Sequence, residues 1–337
     1  MKKKDLFLAV AGIILVIGLI LSSSNHNKPI EKIGYAMDTQ IRIVVYDNDA
    51  DEKVLEGAYS EILRLDKLLS NFNKESETRK LNTEKELAVS DELLDVIKKG
   101  KEISEKTLGA YDLTVYPLTK MWHYKNIYVP SDAEIKEALI KVDYSNIEIS
   151  ENMVILKNNA EIDLSSIAKG YVADCIIDYL KDNGIEDALV DAGGNIKVTG
   201  SPYEDKKEGF YIGIQDPARD TGIPLGEMKI HNEAVVTSGI YERNFKKDGK
   251  TYHHIIDTKT GYPSESDVVS VSVISEDSAV ADAYATAVVV MGSEKGLELI
   301  ESESGLECII IKKDNTIVLS DGVKNFEITN KDYKFAD

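Results

Sequence analysis

The sequence predicts an α+β protein in which helices pack against mixed β-sheets. Short runs of alternating or β-branched residues, such as QIRIVVY at 40–46, have the two-residue period of strands. Longer segments such as 51–69 place apolar residues three and four positions apart, which is the period of a helix. The two kinds of segment alternate without a regular βαβ period, so a doubly wound fold is not expected.

Helices are predicted wherever the apolar period and the capping residues agree. The segment 91–103 begins at a Ser/Asp cap, and 131–139 opens with Ser-Asp-Ala-Glu, a capping-box pattern. Three later helices are predicted at 168–181, 280–291 and 294–301. Further strands are predicted at 147–149, 153–156, 188–190, 209–214, 234–236, 252–256, 268–274 and 308–312.

Composition limits the possible partners. The 337 residues are 43% hydrophobic, which is ordinary for a folded chain, and carry a net charge of −19. Residues 1–28 hold four lysines and one aspartate, so the remainder is more acidic still. Such a surface repels phosphodiester backbones and excludes a nucleic-acid partner, although a small nucleotide can still bind at a locally basic or metal-bound site.

The N-terminus has the three parts of an export signal. A lysine cluster at 2–4 precedes an apolar run at 6–21, and Ser22-Ser23-Ser24-Asn25 follows. The run is short for a membrane span, but no clear cleavage site follows it, which favours an uncleaved anchor over a cleaved signal. We therefore expect residues 1–28 to be a signal or membrane anchor and residues 29–337 to form one domain outside the cytoplasm. Cys175 and Cys308 are expected to be buried free thiols.

Asp282 and Thr286 are polar interruptions in an almost wholly apolar helix. Their i, i+4 spacing places them on one face. One interpretation is structural, with the carboxylate bonded to a backbone amide and Thr286 bonded to the carbonyl of Asp282. The other is a pair of oxygen ligands for Mg²⁺, which typically takes one or two carboxylates and completes its shell with phosphate and water.

Two further segments have the chemistry of a phosphate site. Ser165 and Ser166 lead into a helix whose second residue is Lys169, so that free N–H groups and a cation lie together. A plain serine-capped helix is the alternative. The loop Asp191-Ala192-Gly193-Gly194-Asn195 allows positive φ and close backbone approach, and is equally consistent with a tight turn.

The segments 237–245 and 252–263 bring hydroxyls, carboxylates, an arginine and two of five histidines close in sequence. His254 and Asp257 are three residues apart and would serve as base and orienting group, or as paired bases. A structural histidine is the alternative for His254. A Ser238–His254–Asp257 hydrolase is disfavoured because no Gly-x-Ser-x-Gly turn surrounds Ser238.

Together these motifs resemble the signature of the FAD:protein FMN transferase (ApbE-type flavin transferase) family. The resemblance runs from about residue 33 to residue 331 and includes at least six motifs in the expected order. It implies an ApbE or T-fold-like architecture. Three positions differ from the family pattern: Asp38 replaces the glycine of Met-Gly-Thr, Thr258 replaces a proline, and Ala285 replaces an aspartate found in some members.

The resemblance also implies roles for particular residues. His254 would be the catalytic base with Asp257 nearby, and the ligands of Mg²⁺ would be the carbonyl of Ala168 with Asp282 and Thr286. Contacts with the flavin nucleotide are implied for Met37, Phe72, Ala110, Tyr111, Asp112, Ser165, Lys169, Tyr171, Ser238, Glu242 and Ile256.

The function implied by the resemblance is Mg²⁺-dependent transfer of FMN from FAD to a Thr or Ser hydroxyl of an exported flavoprotein, such as a subunit of a redox pump, with release of AMP. Two alternatives stay open: hydrolysis of FAD to FMN and AMP at the same site, and non-catalytic flavin binding.

Overall fold

The computed structural model describes residues 28–122, 127–203 and 207–336. The predicted signal or anchor therefore lies almost entirely outside the described residues. Within the described ranges, no helix combines the length and hydrophobicity that crossing a bilayer requires.

The helices follow the apolar period of the sequence, and several begin at a side-chain cap. They are α1 (Glu52–Leu69), α2 (Glu77–Glu84), α3 (Asp91–Lys106), α4 (Tyr116–Thr119), α5 (Asp132–Leu139), α6 (Ala168–Asp182), α7 (Ser278–Met291) and α8 (Ser293–Ser302). The side chains of Asp51, Ser90 and Ser131 accept hydrogen bonds at the N-termini of α1, α3 and α5. Ser131 and Glu134 form the complete capping box that the sequence predicts.

Strands make up the rest of the regular structure. They are β1 (Ile30–Ala36), β2 (Thr39–Val45), β3 (Glu86–Ala88), β4 (Ile147–Ser150), β5 (Met153–Leu156), β6 (Ala188–Ala192), β7 (Asn195–Thr199), β8 (Phe210–Gln215), β9 (Pro224–Ile230), β10 (Ala234–Gly239), β11 (Asn244–Lys247), β12 (Lys250–His253), β13 (Val268–Ser275), β14 (Leu306–Lys312), β15 (Thr316–Leu319), β16 (Glu327–Ile328) and β17 (Lys334–Phe335).

A large sheet forms the centre of the fold. In the described residues its nine strands run in the order β1-β2-β6-β7-β10-β13-β14-β15-β17, and every pair is antiparallel except β15–β17. Smaller sheets are β16-β9-β8, β3-β5-β4 and the hairpin β11-β12. This mixture confirms the predicted α+β class.

The large sheet is buried on both faces. Val190, Val236 and Val273 point to the face covered by α6 and α7, while the alternating residues Leu189 and Val235 point to the β8–β9 sheet. A third, smaller cluster around Trp122 and Ile256 joins α4 and α5 to the polar loops; its members are Leu118, Trp122, Ile135, Ala138 and Ile256. The two faces explain why the core strands are apolar throughout rather than alternating.

Some predicted boundaries differ from the structure. Strand β1 lies in a segment for which no element was predicted, and its residues before Ala36 stay exposed or half exposed at the edge of the sheet. The strand predicted at 252–256 ends at His253, where the ring Nδ1 accepts the N–H of Ile255 and bends the chain. Cys175 and Cys308 are free thiols, as predicted, although only Cys308 is fully buried.

Candidate active site at one end of the large sheet

Two tight hairpin turns mark the end of the sheet where the polar motifs gather. Met37 and Asp38 join β1 to β2 with φ of 54° and 57°, and Gly193 and Gly194 join β6 to β7 with φ of 67° and 96°. Positive φ at both central residues is the type I′ pattern that two-residue hairpins favour. Aspartate tolerates this conformation, so the replacement of the family glycine by Asp38 leaves the turn type intact.

Helices α6 and α7 cross directly over this end of the sheet. A Cβ on Gly170 would lie 2.1 Å from the backbone oxygen of Ser278, so only glycine allows the two helices to approach this closely. The first residues of α6 also have no side-chain cap of their own, since Ile167 occupies the N-cap position. The N-terminus of α6 is therefore free to bind a group supplied by α7.

Asp282 supplies that group. Its carboxylate is 3% exposed, and its Oδ2 accepts the N–H of Gly170 at 3.1 Å. Burial raises the pKa of Asp282, and the charge of Lys169 opposes this rise. The hydroxyl of Thr286 donates to the backbone oxygen of Asp282 at 3.4 Å. The structural interpretation of this pair is thus realised, and both side-chain oxygens remain on the same face of α7.

The ammonium group of Lys169 influences the pKa values of several groups in the site. Its Nζ donates to Oδ1 of Asn195 at 3.5 Å, and its charge acts on Asp282, Glu242 and His254. Nδ2 of Asn195 is buried, makes no well-formed hydrogen bond within the described residues, and faces the carboxylate of Asp282.

Asp191 lies on the other side of Lys169. The N–H of Gly194 donates to its Oδ1 at 2.8 Å, so the carboxylate fixes the β6–β7 turn. Burial raises the pKa of Asp191 to about 6, while that bond and the charges of Arg42 and Lys169 oppose the rise. The predicted Asp-Ala-Gly-Gly-Asn loop therefore frames the cleft with its backbone and presents Asn195 to it.

The end of β10 and the loop after it form a second wall. Ser238 has the same orientation as Val236, toward the helices, because alternate residues of a strand share a face. Glu242 is exposed to solvent on one side and surrounded by the cleft walls on the other. Desolvation by these walls raises the pKa of Glu242, and the charges of Lys169 and Arg243 oppose the rise. Arg243 pairs with Asp38 across the cleft at 3.3 Å.

The two adjacent histidines have different environments. His253 uses both ring nitrogens on backbone, with Nε2 2.8 Å from the oxygen of Ser264 and Nδ1 accepting from Ile255. The ring nitrogen Nδ1 of His254 is buried and has no partner in the described structure. The backbone N–H of His254 donates to the backbone oxygen of Arg243 at 3.1 Å. His254 is therefore the histidine with a nitrogen free to accept a proton, as the sequence spacing suggested.

The pKa of His254 is lowered to about 3. Burial is the main cause, and the positive charges of Arg243, His253 and Lys169 add to it. The imidazole is consequently neutral across the physiological range. A neutral imidazole with an unpaired nitrogen is a proton acceptor.

Asp257 has a turn-forming role in the structure. Its Oδ1 accepts the N–H of Lys259 at 2.8 Å and its Oδ2 accepts the hydroxyl of Thr260 at 3.1 Å. Since Nδ1 of His254 has no partner, Asp257 does not orient the ring through that atom. The same geometry lacks the hydrogen-bond chain of a Ser238–His254–Asp257 triad. The loop is held without the family proline by a bond from Trp122 Nε1 to the oxygen of Gly261 at 2.9 Å.

Tyr111 reaches the site from the segment before α4. Its hydroxyl is buried, has no well-formed hydrogen bond within the described residues, and faces Ser166 and the carboxylates of Asp163 and Asp282. Burial raises the pKa of Tyr111. Ala110 is buried beside it. Tyr111 thus lies beside Asp282, and the flavin contacts of both residues stay predictions.

Asp112 differs from its predicted role. Its Oδ1 accepts the N–H and hydroxyl of Thr114 at 2.7 and 2.6 Å, and its Oδ2 accepts the N–H of Tyr144 at 3.0 Å. Burial raises its pKa to about 6. The carboxylate is thus occupied in holding two loops together, and a direct contact with the flavin is not supported.

Tyr171 is also turned away from the site. Two residues along a helix are about 200° apart, so Tyr171 and Lys169 project to opposite sides of α6. The phenol lies near Cys175 and the α3 residues Glu92 and Asp95, and burial raises its pKa. The Tyr171 phenol therefore does not face Lys169 and the cleft, and its flavin contact stays a prediction.

The remaining predicted contacts line the rim or lie behind it. Phe72 is 90% exposed in the α1–α2 loop, where a planar ligand could cover it, and Ser165 is exposed at the start of α6. Met37 packs partly against the main core beneath the β1–β2 turn. Ile256 is buried in the third cluster and can offer only its backbone to a ligand.

The structure thus brings together Lys169, Asp282, Thr286, Ser238, Glu242, His254 and Tyr111. Sequence reasoning gave no role to the ion pair between Asp38 and Arg243. The sequence contained one indication of this pair. Aspartate tolerates the left-handed backbone conformation, so Asp38 can keep the turn and place a negative charge at its tip.

The donor set at Asp282 suits a hard divalent cation. The buried carboxylate and the Thr286 hydroxyl are oxygen donors on one face of α7, and Ala168, whose carbonyl the resemblance implies as a third ligand, is two residues before the Gly170 that contacts Asp282. Burial disfavours the charged carboxylate, and a cation would relieve that cost. No cluster of three or more His, Cys, Asp or Glu side chains occurs in the described ranges, so phosphate and water would have to complete a metal shell.

Comparison with known proteins decides the family. The model of the ApbE family matches residues 37–310, which is most of the chain and includes every element of the site. The chain belongs to the ApbE family. It is 32% identical over 292 residues to an FAD:protein FMN transferase of Klebsiella pneumoniae, covering 84% of this chain and 89% of that protein. A relative of the same name from Vibrio cholerae is 31% identical over 329 residues, covering 93% and 95%.

Solved ApbE structures share the architecture. The apbe protein of Thermotoga maritima matches with a TM-score of 0.80 and 33% identity, covering 87% of this chain and 97% of that one. The flavin transferase ApbE from Vibrio cholerae matches with a TM-score of 0.79 and 28% identity, covering 88% and 98%. As an ApbE member, the chain is an enzyme of the transferase class.

Proposed function

We propose that this ApbE protein moves FMN from FAD onto a Thr or Ser hydroxyl of an exported flavoprotein, with AMP as the leaving group. The observation that carries the proposal is the position of a neutral histidine, His254, beside the cation Lys169 and the buried carboxylate Asp282. The names of the relatives, FAD:protein FMN transferase, support the same substrate.

The cleft has the charge needed to hold a pyrophosphate. Lys169 follows the uncapped start of α6, where free N–H groups and the helix dipole favour an anion. Arg243 stands on the opposite wall, anchored by Asp38. Two cations facing each other across a cleft would orient the phosphates and offset their charge.

His254 is the proposed general base. As the acceptor oxygen forms its bond to the FMN-side phosphorus, the bond from that phosphorus to the oxygen of AMP breaks, and the hydroxyl proton passes to the imidazole of His254, a partly exposed residue. Binding of the anionic pyrophosphate beside Lys169 and Arg243 would raise the pKa of His254 toward its ordinary value. The substrate thereby strengthens the base that acts on it.

Asp282, Thr286 and the carbonyl of Ala168 are the proposed ligands of Mg²⁺. The support is their shared oxygen chemistry at the N-terminus of α6 and the burial of the Asp282 carboxylate. When bound, Mg²⁺ would neutralise charge on the two phosphates. Ala285 is fully buried, so the ligand found there in some family members is replaced by packing.

An extracytoplasmic location is part of the proposal. Its support is the lysine-flanked apolar run at 6–21, which would either anchor the chain or direct its export. Acceptors would then be flavoproteins outside the cytoplasm, such as redox-pump subunits.

Hydrolysis of FAD to FMN and AMP is the second candidate. It is favoured by the solvent exposure of Glu242 and the partial exposure of His254, since water can reach the same base. The two reactions share the pyrophosphate cleft and differ in the attacking oxygen.

The experiment incubates the full chain with FAD, MgCl₂ and an exported flavoprotein domain, and analyses protein mass and free nucleotides. The proposal predicts an acceptor heavier by one FMN and an equivalent amount of AMP, both lost with EDTA. Free FMN and AMP with an unmodified acceptor would identify a hydrolase, and bound FAD without turnover would identify a binding protein.

A further inference from the structure

A basic hairpin stands beside the active site of an otherwise acidic protein. The hairpin is β11–β12 with its turn, and residues 243–250 hold four Lys or Arg and one Asp. The whole chain has a net charge of −19. A local reversal of charge on such a background is an electrostatic feature that would attract an anionic partner.

Two lysines of the basic hairpin have no ion-pair partner among the described residues. Lys246 and Lys247 are exposed and form no ion pair with any described residue. By contrast, Lys250 pairs with Glu265, and Arg243 pairs with Asp38. The unpaired charges are therefore concentrated on the β11 strand.

The basic hairpin is held rigidly by aromatic packing. Phe245 stacks on Tyr252 with ring centroids 5.3 Å apart, and Tyr252 stacks on Trp122 at 5.6 Å. These contacts fix the two strands on the third core cluster. Successive residues of a strand point to opposite faces, so Lys246 and Lys247 project from the two faces of this pre-organised support, which lowers the entropic cost of binding a partner.

The basic hairpin is continuous with the catalytic segment. Arg243 accepts the N–H of His254, and Asn244 is paired with His253 in the hairpin register. Lys246 is three residues from Arg243, or about 10 Å along a strand, which is close to the Debye length of about 8 Å at physiological salt. An acceptor whose hydroxyl reaches His254 would therefore lie within the field of these lysines.

We propose that the basic hairpin docks acidic residues that flank the acceptor hydroxyl in the substrate protein. The inference rests on the proposed transfer to a protein and names how that protein is recognised. An anionic membrane surface is a poorer fit, because lipid-binding basic clusters typically hold four to eight Lys or Arg, whereas two here are unpaired. Opposite charges would also steer encounter with an acceptor despite the acidic remainder of the enzyme.

The test measures binding of a short fluorescent peptide with one Thr flanked by Asp and Glu, and of its Asn/Gln counterpart, to the full chain loaded with FAD. The test variant is Lys246→Glu with Lys247→Glu. The matched control is Lys98→Glu with Lys181→Glu, which changes net charge equally through exposed lysines of α3 and of the far end of α6. Neither pair of lysines belongs to the catalytic cleft.

We expect the acidic peptide to bind the wild-type chain at least fivefold more tightly than the amide peptide, and the hairpin variant to lose this preference while the control keeps it. Raising the salt concentration should have the same effect as the hairpin variant. Equal binding of both peptides, or equal weakening by both variants, would overturn the proposal. Loss of binding to phosphatidylglycerol vesicles without loss of peptide binding would assign the surface to a membrane instead.

A transfer assay separates this inference from the proposed function. If the wild-type chain modifies an acceptor and the hairpin variant raises KM for it with kcat unchanged, both stand. If transfer occurs with the same KM in both chains, docking by the basic hairpin is wrong and the transferase remains. If peptides bind as expected but no adduct forms on any acceptor, the transferase proposal fails by itself.

Discussion

The N–H of Gly170 donates to Oδ2 of Asp282 at 3.1 Å, so a carboxylate in the second turn of α7 caps the first turn of α6. The bond ties together the two features that the function needs, an anion-binding helix terminus and an oxygen ligand for a cation. It exists because Gly170 has no side chain to keep α7 away.

Replacing Asp282 tests the proposed metal ligand. Asp282→Asn keeps an acceptor for the Gly170 N–H and removes the charge, so we expect melting temperature within a few degrees of wild type. We expect the Mg²⁺ concentration for half-maximal transfer to rise at least about tenfold and the rate at saturating FAD to fall about 100-fold or more. The measurement is an Mg²⁺ titration of AMP release.

Asp332→Asn serves as the control for that titration, because Asp332 is exposed and makes only a long ion pair with Arg219. An unchanged Mg²⁺ requirement in Asp282→Asn would remove Asp282 from the metal site.

Gly170→Ala tests the contact between the helices. The added methyl group meets the backbone of Ser278 and Ala279, which cannot move aside as a side chain can. We expect a loss of about 1–3 kcal/mol in the free energy of unfolding, together with a higher Mg²⁺ requirement, because the helices separate. Denaturant unfolding and the same titration measure both effects. Wild-type stability in this variant would show that the close approach is not needed.

The adjacent histidines allow a matched comparison. His254→Gln should lower the transfer rate by about 100- to 10,000-fold with little loss of stability, because the base is removed and no hydrogen bond of its ring nitrogen Nδ1 is lost. His253→Gln should cost about 1–3 kcal/mol of stability, because two backbone groups lose their ring partners. Rates measured well below the melting temperature and thermal unfolding distinguish the two roles. A reversed pattern would show that His253 is the catalytic residue.

Asp112 should give the protein a specific pH dependence. Burial raises its pKa from 3.8 to about 6, so the folded state retains a proton that the unfolded state loses. Stability contributed at this site therefore falls as pH rises from about 4 to about 6, by up to about 3 kcal/mol.

The comparison protein for that measurement is Asp112→Asn, which does not titrate at this position. We expect the difference in unfolding free energy, wild type minus variant, to be larger at pH 4 than at pH 6.5. Asp191 titrates in the same window but is common to both chains and cancels. A difference that is constant with pH would show that Asp112 is ionised normally in the fold.

Much of the local structure was readable because it depends on short-range chemistry. The Asp51 cap, the capping box of Ser131 and Glu134, and the helical i, i+4 relation of Asp282 and Thr286 all follow from neighbours in sequence. The spacing of His254 from Asp257 also selected the histidine whose ring nitrogen Nδ1 has no partner among the described residues.

The errors concern orientation that is set by tertiary packing. Tyr171 belongs to a motif of the site, but its position on α6 directs its side chain toward α3. The carboxylate of Asp112 accepts a hydrogen bond from the backbone N–H of Tyr144 in a neighbouring loop. The helix predicted at 280–291 begins earlier, at Ser278, because Asp277 caps it by accepting the N–H of Val280 and is itself held by Lys99 from α3. No pattern within a single segment contains these long-range partners.

The most direct test of the account is the ratio of acceptor-bound FMN to released AMP in one reaction of the full chain with FAD, Mg²⁺ and an exported flavoprotein domain. Transfer predicts one FMN bound for each AMP released, with both products lost together in His254→Gln. AMP released with matching free FMN and no adduct would contradict the central claim, and would make this ApbE protein an FAD hydrolase.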